Sequence, residues 1–127
     1  MRLPVTVSPS DWYQILNGIT SDRDLLVEPI GFAIPAWGCE KNTPLVRAML
    51  NGIRTVGGDP RFVYKTGTAD LNIVAPIWKC PAVVYGPGDS ALDHTPDEHI
   101  DLNDYEKAVN VLANALNDLV LKAQKSG

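Results

Sequence analysis

Two cysteines, Cys39 and Cys80, are all this chain of 127 residues contains, and no Cys-x-x-Cys pair is present. Zinc-finger and thioredoxin-type chemistry is thereby left without support. We expect two reduced, partly buried thiols, with a bridge between them left open. Lys and Arg number 11 against 15 Asp and Glu, for a net charge of -4, and no basic run occurs. Phosphate neutralisation needs clustered positive charge, so nucleic acid is not an expected partner. No apolar stretch is long enough to span a bilayer, and Met1-Arg2-Leu3-Pro4 lacks signal-peptide layout. The expectation is a cytoplasmic protein with no membrane partner. Also missing are His-Glu-x-x-His, a paired Glu-Glu, Gly-x-Ser-x-Gly and any assignable Cys/His dyad. A self-contained hydrolytic site is hard to assemble without them.

What remains is ordinary globular composition, 45% hydrophobic and 20% charged. The length suits one domain or two small lobes. Leu3, Val5 and Val7 alternate as a strand would. Ser8-Pro9-Ser10-Asp11 is a helix start, with a hydroxyl cap and Pro in the first turn, and the helix should stop near Gly18. Leu25 to Ile30 reads as a second strand, which completes a small β-α-β unit. Gly31 to Asn42, where Phe32 to Cys39 mixes bulky apolar groups with Pro and Gly without a period, reads as a crossover and the best candidate for a lobe boundary.

Thr43-Pro44 opens another helix, with Leu45, Met49 and Ile53 as its stripe and Gly57-Gly58 as its end. Arg61 to Lys65 and Cys80 to Tyr85 read as core strands, rich in β-favouring residues. The last segment is the clearest helix. Tyr105, Ala108, Val109, Leu112, Leu116, Leu119, Val120 and Ala123 fall at helical spacing, and Asp101 or Asn103 can cap it. Strands alternating with helices predict an α/β fold.

Three polar turns could carry chemistry. Each is placed after an expected strand, where ligands gather in open α/β sheets. Lys65-Thr66-Gly67-Thr68-Ala69-Asp70 reads first as an ordinary turn with Asp70 capping a helix. Its second reading is a shell for a polar substrate group. Gly86-Pro87-Gly88-Asp89-Ser90 is either a β-turn or a loop whose amides hold an anion. Asp93-His94-Thr95-Pro96-Asp97-Glu98-His99 holds both histidines among acids. It reads as a solvated acidic loop, or as a source of one imidazole donor to a metal oriented by neighbouring carboxylates.

These same runs, with Pro81-Ala82-Val83-Val84-Tyr85 between them, resemble the C-terminal part of a di-zinc metallopeptidase family. The family includes acetylornithine deacetylase, succinyl-diaminopimelate desuccinylase and glutamate-releasing carboxypeptidases. The Lys-Thr-Gly-Thr and Gly-Pro-Gly-Asp-Ser runs are most similar to the branch that frees lysine or ornithine from an amino-group carrier protein in lysine biosynthesis. Arg2-Leu3-Pro4 resembles a strand of the family's lid. Leu71-Asn72 follow Asp70 where desuccinylases carry an Arg, which separates the chain from that branch.

The resemblance implies a truncated zinc-exopeptidase-like catalytic sheet, with the end of a β-α-β lid and dimerisation lobe. Residues 1–38 would end the lid domain, and residues 39–127 would close the catalytic domain. His94 would bind one of two zinc (or cobalt) ions, with Glu98 supporting it. Thr66, Gly67, Thr68, Asp70, Gly86 and Gly88 would line the substrate pocket, and His99 takes no role. The family's other metal ligands and its Glu-Glu general base lie upstream, and none is in this sequence. The resemblance therefore implies a fragment with an incomplete active site, weak or absent zinc binding, and no catalytic residue of its own. Its partners would be further copies of itself, a chain supplying the N-terminal catalytic half, or an acidic carrier protein. The competing expectation is a non-catalytic assembly or dimerisation module, or a pseudogene product.

Overall fold

Helix formation in this chain is decided at the helix ends. Residues 3–65 and 67–126 are described by a computed structural model. Helix α1 spans Pro9–Thr20; Ser8 caps it by accepting from the Asp11 amide at 3.1 Å, and Pro9 stands in the first turn. Helix α2 spans Pro44–Thr55, capped by Thr43, whose buried hydroxyl accepts from the Val46 amide at 3.2 Å. It ends in a full Schellman motif. The Gly57 amide bonds the Arg54 carbonyl and the Gly58 amide bonds the Ile53 carbonyl, both at 2.9 Å, with Gly57 at φ 80. Helix α3, Leu71–Trp78, ends at Lys79, which is left-handed at φ 50. Helix α4, Leu102–Ser126, begins at Asp101, whose carboxylate accepts from the amides of Asn103 at 2.7 Å and Asp104 at 3.2 Å.

The expected α/β fold, with a catalytic sheet and a β-α-β lobe, is not what forms. Among the described residues there are four helices and no strand. Among the described residues, the backbone bonds outside the helices all close local turns or helix ends. Residues 61–65 and 81–85 carry the β-favouring side chains but have no ladder. Phe62, Val63, Tyr64 and Val84 are exposed. The physical reason is that β-propensity records fit to a paired, half-buried surface, and pairing needs a neighbour. Residues 3–7 and 25–30 likewise form turn and coil. Helix α3 follows Asp70, as the first reading of that turn expects, although the Asp70 carboxylate makes no cap bond. Its apolar, β-branched sequence with Pro76 disguises eight helical residues.

The chain divides into two compact units: Met1–Cys39 with Tyr64–Cys80, and Glu40–Val63 with Pro81–Gly127. In the first unit α1 has no buried residue. There, Asn72 links two segments: its side chain accepts from the Ala69 amide and donates to the Pro35 carbonyl, each at 3.0 Å.

The second unit holds the core, where α2 packs on α4. Ala48, Met49, Val111 and Ala115 form its centre, with Leu45, Ile53, Val56, Val83, Tyr85 and Leu119 around them. The two helices approach until backbone nearly meets backbone. A Cβ on Gly52 would stand 2.7 Å from the Val111 carbonyl oxygen and 3.4 Å from the Ala115 nitrogen. So close an approach selects small residues, and the buried face of α4 is Ala108, Val111 and Ala115. Much of the stripe expected from periodicity, namely Tyr105, Val109, Leu112, Leu116 and Val120, faces outward instead. Among the described residues no helix is long and apolar enough to cross a membrane.

Candidate functional site

The 89–98 segment is a staircase of three turns. The Leu92 amide bonds the Asp89 carbonyl at 3.0 Å, Thr95 bonds Leu92 at 3.0 Å, and Glu98 bonds Thr95 at 3.1 Å. Two side chains brace it: Asp89 Oδ1 accepts from the Ala91 amide at 2.9 Å, and Thr95 Oγ1 donates to the Leu92 carbonyl at 2.8 Å. Leu92 is its only part-buried residue.

His94 is the third residue of the middle turn and has φ 65. Glycine is the usual residue at such a position, because a side chain there crowds the backbone, and Asn, Asp and His are the side chains that enter it most readily. The His94 amide donates to Glu98 Oε2 at 2.9 Å. The ring is exposed, and among the described residues no group hydrogen-bonds it.

Beside the staircase lies an open concavity of about 350 Å³, lined by Pro87, Gly88, Asp89, Asp93, Glu98, His99 and Ile100. Gly88, at φ 95, makes the turn that brings Asp89 to it. The second and third candidate turns thus share one unit and partly one surface; Gly86 is exposed and outside the lining. Gly67, Thr68 and Asp70 belong to the other unit, all exposed. Asp70 begins α3 through its carbonyl, which accepts from the Ile73 and Val74 amides, while its carboxylate makes no cap bond. Thr66 lies outside the described residues.

His99, to which the sequence assigns no role, lines the concavity. Its Nδ1 is 2.7 Å from the Asp97 carbonyl. A carbonyl only accepts, so Nδ1 carries the proton and Nε2 keeps a lone pair in the neutral ring. Thr95 is the other residue that motif reading passes over. The three-residue spacing of Asp89, Leu92, Thr95 and Glu98 is the signal that marks both it and the staircase.

A zinc site usually takes three protein donors. Among the described residues no three His, Cys, Asp or Glu side chains form a group able to hold a metal. The exposed, unbonded imidazole of His94 fits one donor position and no more. Two groups elsewhere in this unit have shifted pKa values. Partial burial raises the Tyr85 phenol above its usual value. The Asn103 and Asp104 amides hold the Asp101 carboxyl below its usual value.

Comparison with known proteins bears on the same segments. A LysW-lysine hydrolase of Deinococcus radiodurans is 55% identical over 80 residues, covering 63% of this chain and 22% of that protein. A LysW-lysine/LysW-ornithine hydrolase of Sulfurisphaera tokodaii is 40% identical over 81 residues, covering 64% and 23%. The chain thus spans about a quarter of the length of the curated relatives it matches. Residues 5–118 match the model of peptidase family M20/M25/M40, taking in α1 to α3, the staircase and most of α4, and the chain belongs to that family.

Proposed function

We propose that this chain is one part of a zinc- or cobalt-dependent amidohydrolase that releases lysine or ornithine from an N-acyl or carrier-protein conjugate. The single observation behind the reading is His94: an exposed imidazole kept at a left-handed turn position where glycine is the default. Backbone conformations of this kind cluster at functional sites. His94 would give one metal donor, and the remaining donors and the general base would come from residues outside this chain. A bound ion would supply an activated water and a Lewis acid for the amide carbonyl. This chain's own contribution is to hold the imidazole and to present polar turns to the substrate. Of these, the Gly86 to Gly88 loop supports anion or carboxylate contact through backbone amides, and Thr66, Gly67, Thr68 and Asp70 support contact with a polar group.

The test is co-expression with a chain carrying the family's N-terminal catalytic half. Zinc content and release of lysine from a carrier-linked substrate would be measured. Loss of both on His94→Ala is expected; retention of both removes His94 as a ligand and the reading with it.

A second reading, that of an assembly module, is favoured by the outward stripe Tyr105, Val109, Leu112, Leu116 and Val120 on α4. Contiguous exposed apolar faces mark contact surfaces. On that reading the co-expressed chains form a complex without zinc uptake or amide hydrolysis.

A further inference from the structure

Carboxylates that support a metal-binding histidine ordinarily do so by accepting from the ring nitrogen that the metal leaves free. Glu98 is placed for something else. Its Oε2 is 2.9 Å from the His94 main-chain nitrogen, and the ring has no bonding partner among the described residues. That bond reaches back four residues, from the last step of the staircase to the middle one. The middle step is the one that needs help, because residue 94 has φ 65 and is not glycine. A side chain in that region is disfavoured unless its surroundings hold it there. Thr95 acts on the same step through its own bond to the Leu92 carbonyl.

We infer that Glu98 is a positioning residue acting through the backbone of His94: its carboxylate clamps the amide, keeps residue 94 left-handed, and so turns the imidazole outward. The use of that imidazole as a metal donor rests on the proposed function; the clamp does not. The clamp needs an acceptor oxygen and no charge. A glutamine carboxamide offers the same oxygen at the same reach. A carboxylate acting on the ring or on an ion would instead depend on its charge.

The experiment uses the full chain carrying Glu98→Gln or Glu98→Ala. Exchange of the His94 amide with solvent deuterium is followed by NMR. Glu98→Gln should leave the exchange rate close to that of the parent, and Glu98→Ala should speed it several-fold. Replacing residue 94 as well, with His94→Gly, removes the need for a clamp. In that background Glu98→Ala should leave exchange of the Thr95 amide unchanged. A second arm titrates zinc into the chain co-expressed with the N-terminal half. Glu98→Ala should weaken affinity about tenfold, within the range seen when outer partners of metal ligands are removed. Glu98→Gln should restore it to within about twofold.

Unchanged His94 exchange in Glu98→Ala overturns the clamp. Equal loss of zinc affinity in both variants, with His94 exchange intact in Glu98→Gln, overturns it in favour of a charge effect. Failure of the metal reading looks different: His94→Ala leaves zinc binding untouched, while the Glu98 exchange pattern stands.

Discussion

His94 occupies a conformation that works against its own Cβ, φ 65 in an exposed turn. Left-handed backbone costs an L-residue with a Cβ about 1–2 kcal/mol, and glycine largely escapes this. His94→Gly should therefore be more stable than His94→Ala by about 1 kcal/mol. Urea midpoints of the two variants measure the difference directly. Equal midpoints would mean that the turn relaxes to another conformation when the imidazole is removed. At this scale the sequence is partly legible. The histidines, the acids and the glycine turns can be read from it, whereas the left-handed angle and the Glu98 bond cannot. Those depend on three successive turns meeting in register, which shows in residue types only as a faint three-residue spacing.

Among the elements, helix ends are the most legible parts of the fold. Thr43-Pro44 and Gly57-Gly58 bracket α2 because each supplies the bond its terminus lacks. Thr43→Ala removes the acceptor for the Val46 amide and should cost about 1 kcal/mol, read as a shift in thermal midpoint; Thr43→Ser should recover most of it.

The α4 cap carries a pH signature. Asp101 has its carboxyl held low by two amide bonds, so its folded-state pKa lies below its unfolded one. That contribution is fully present above the unfolded carboxylate value of about 3.9 and is lost as pH falls through the folded value. Helix content followed by circular dichroism should therefore drop in acid below about pH 4. In Asp101→Asn the amide oxygen still caps but no longer titrates, and the part of the drop due to this residue should disappear. The strands are the least legible elements. Phe62-Val63-Tyr64 and the run from Pro81 to Tyr85 have the composition of strands, but composition cannot supply a pairing neighbour. Helix α3 is legible only at its start, which Asp70 marks; its extent rests on local bonds from Asp70 and a left-handed stop at Lys79, in spite of unpromising residues between them.

Taken whole, the chain keeps a small core and a large apolar surface. In the first unit Leu26, Ile30 and Phe32 are 83%, 96% and 98% exposed, and the second unit separately exposes the outer stripe of α4. Surface of this kind drives association in water. Sedimentation of the isolated chain is expected to show concentration-dependent self-association, which co-expression with an N-terminal half should suppress. A monodisperse monomer at high concentration would contradict this. The family can be read from the polar turns alone, yet the layout of the two units cannot, because each is drawn from two separated stretches of chain. The buried face of α4 is offset from its most hydrophobic line for a related reason: closeness to α2, rather than side-chain size, chooses which residues go inside.

That closeness has a consequence for variation. Only hydrogen fits between residue 52 and the Val111 carbonyl oxygen, so the helix pair offers no slack for even one added carbon. A library randomised at positions 51, 52 and 54 and selected for cooperative folding should return many residues at the two exposed flanks and glycine alone between them. The tolerance of this molecule to mutation is thus set, at its centre, by an atom that is absent.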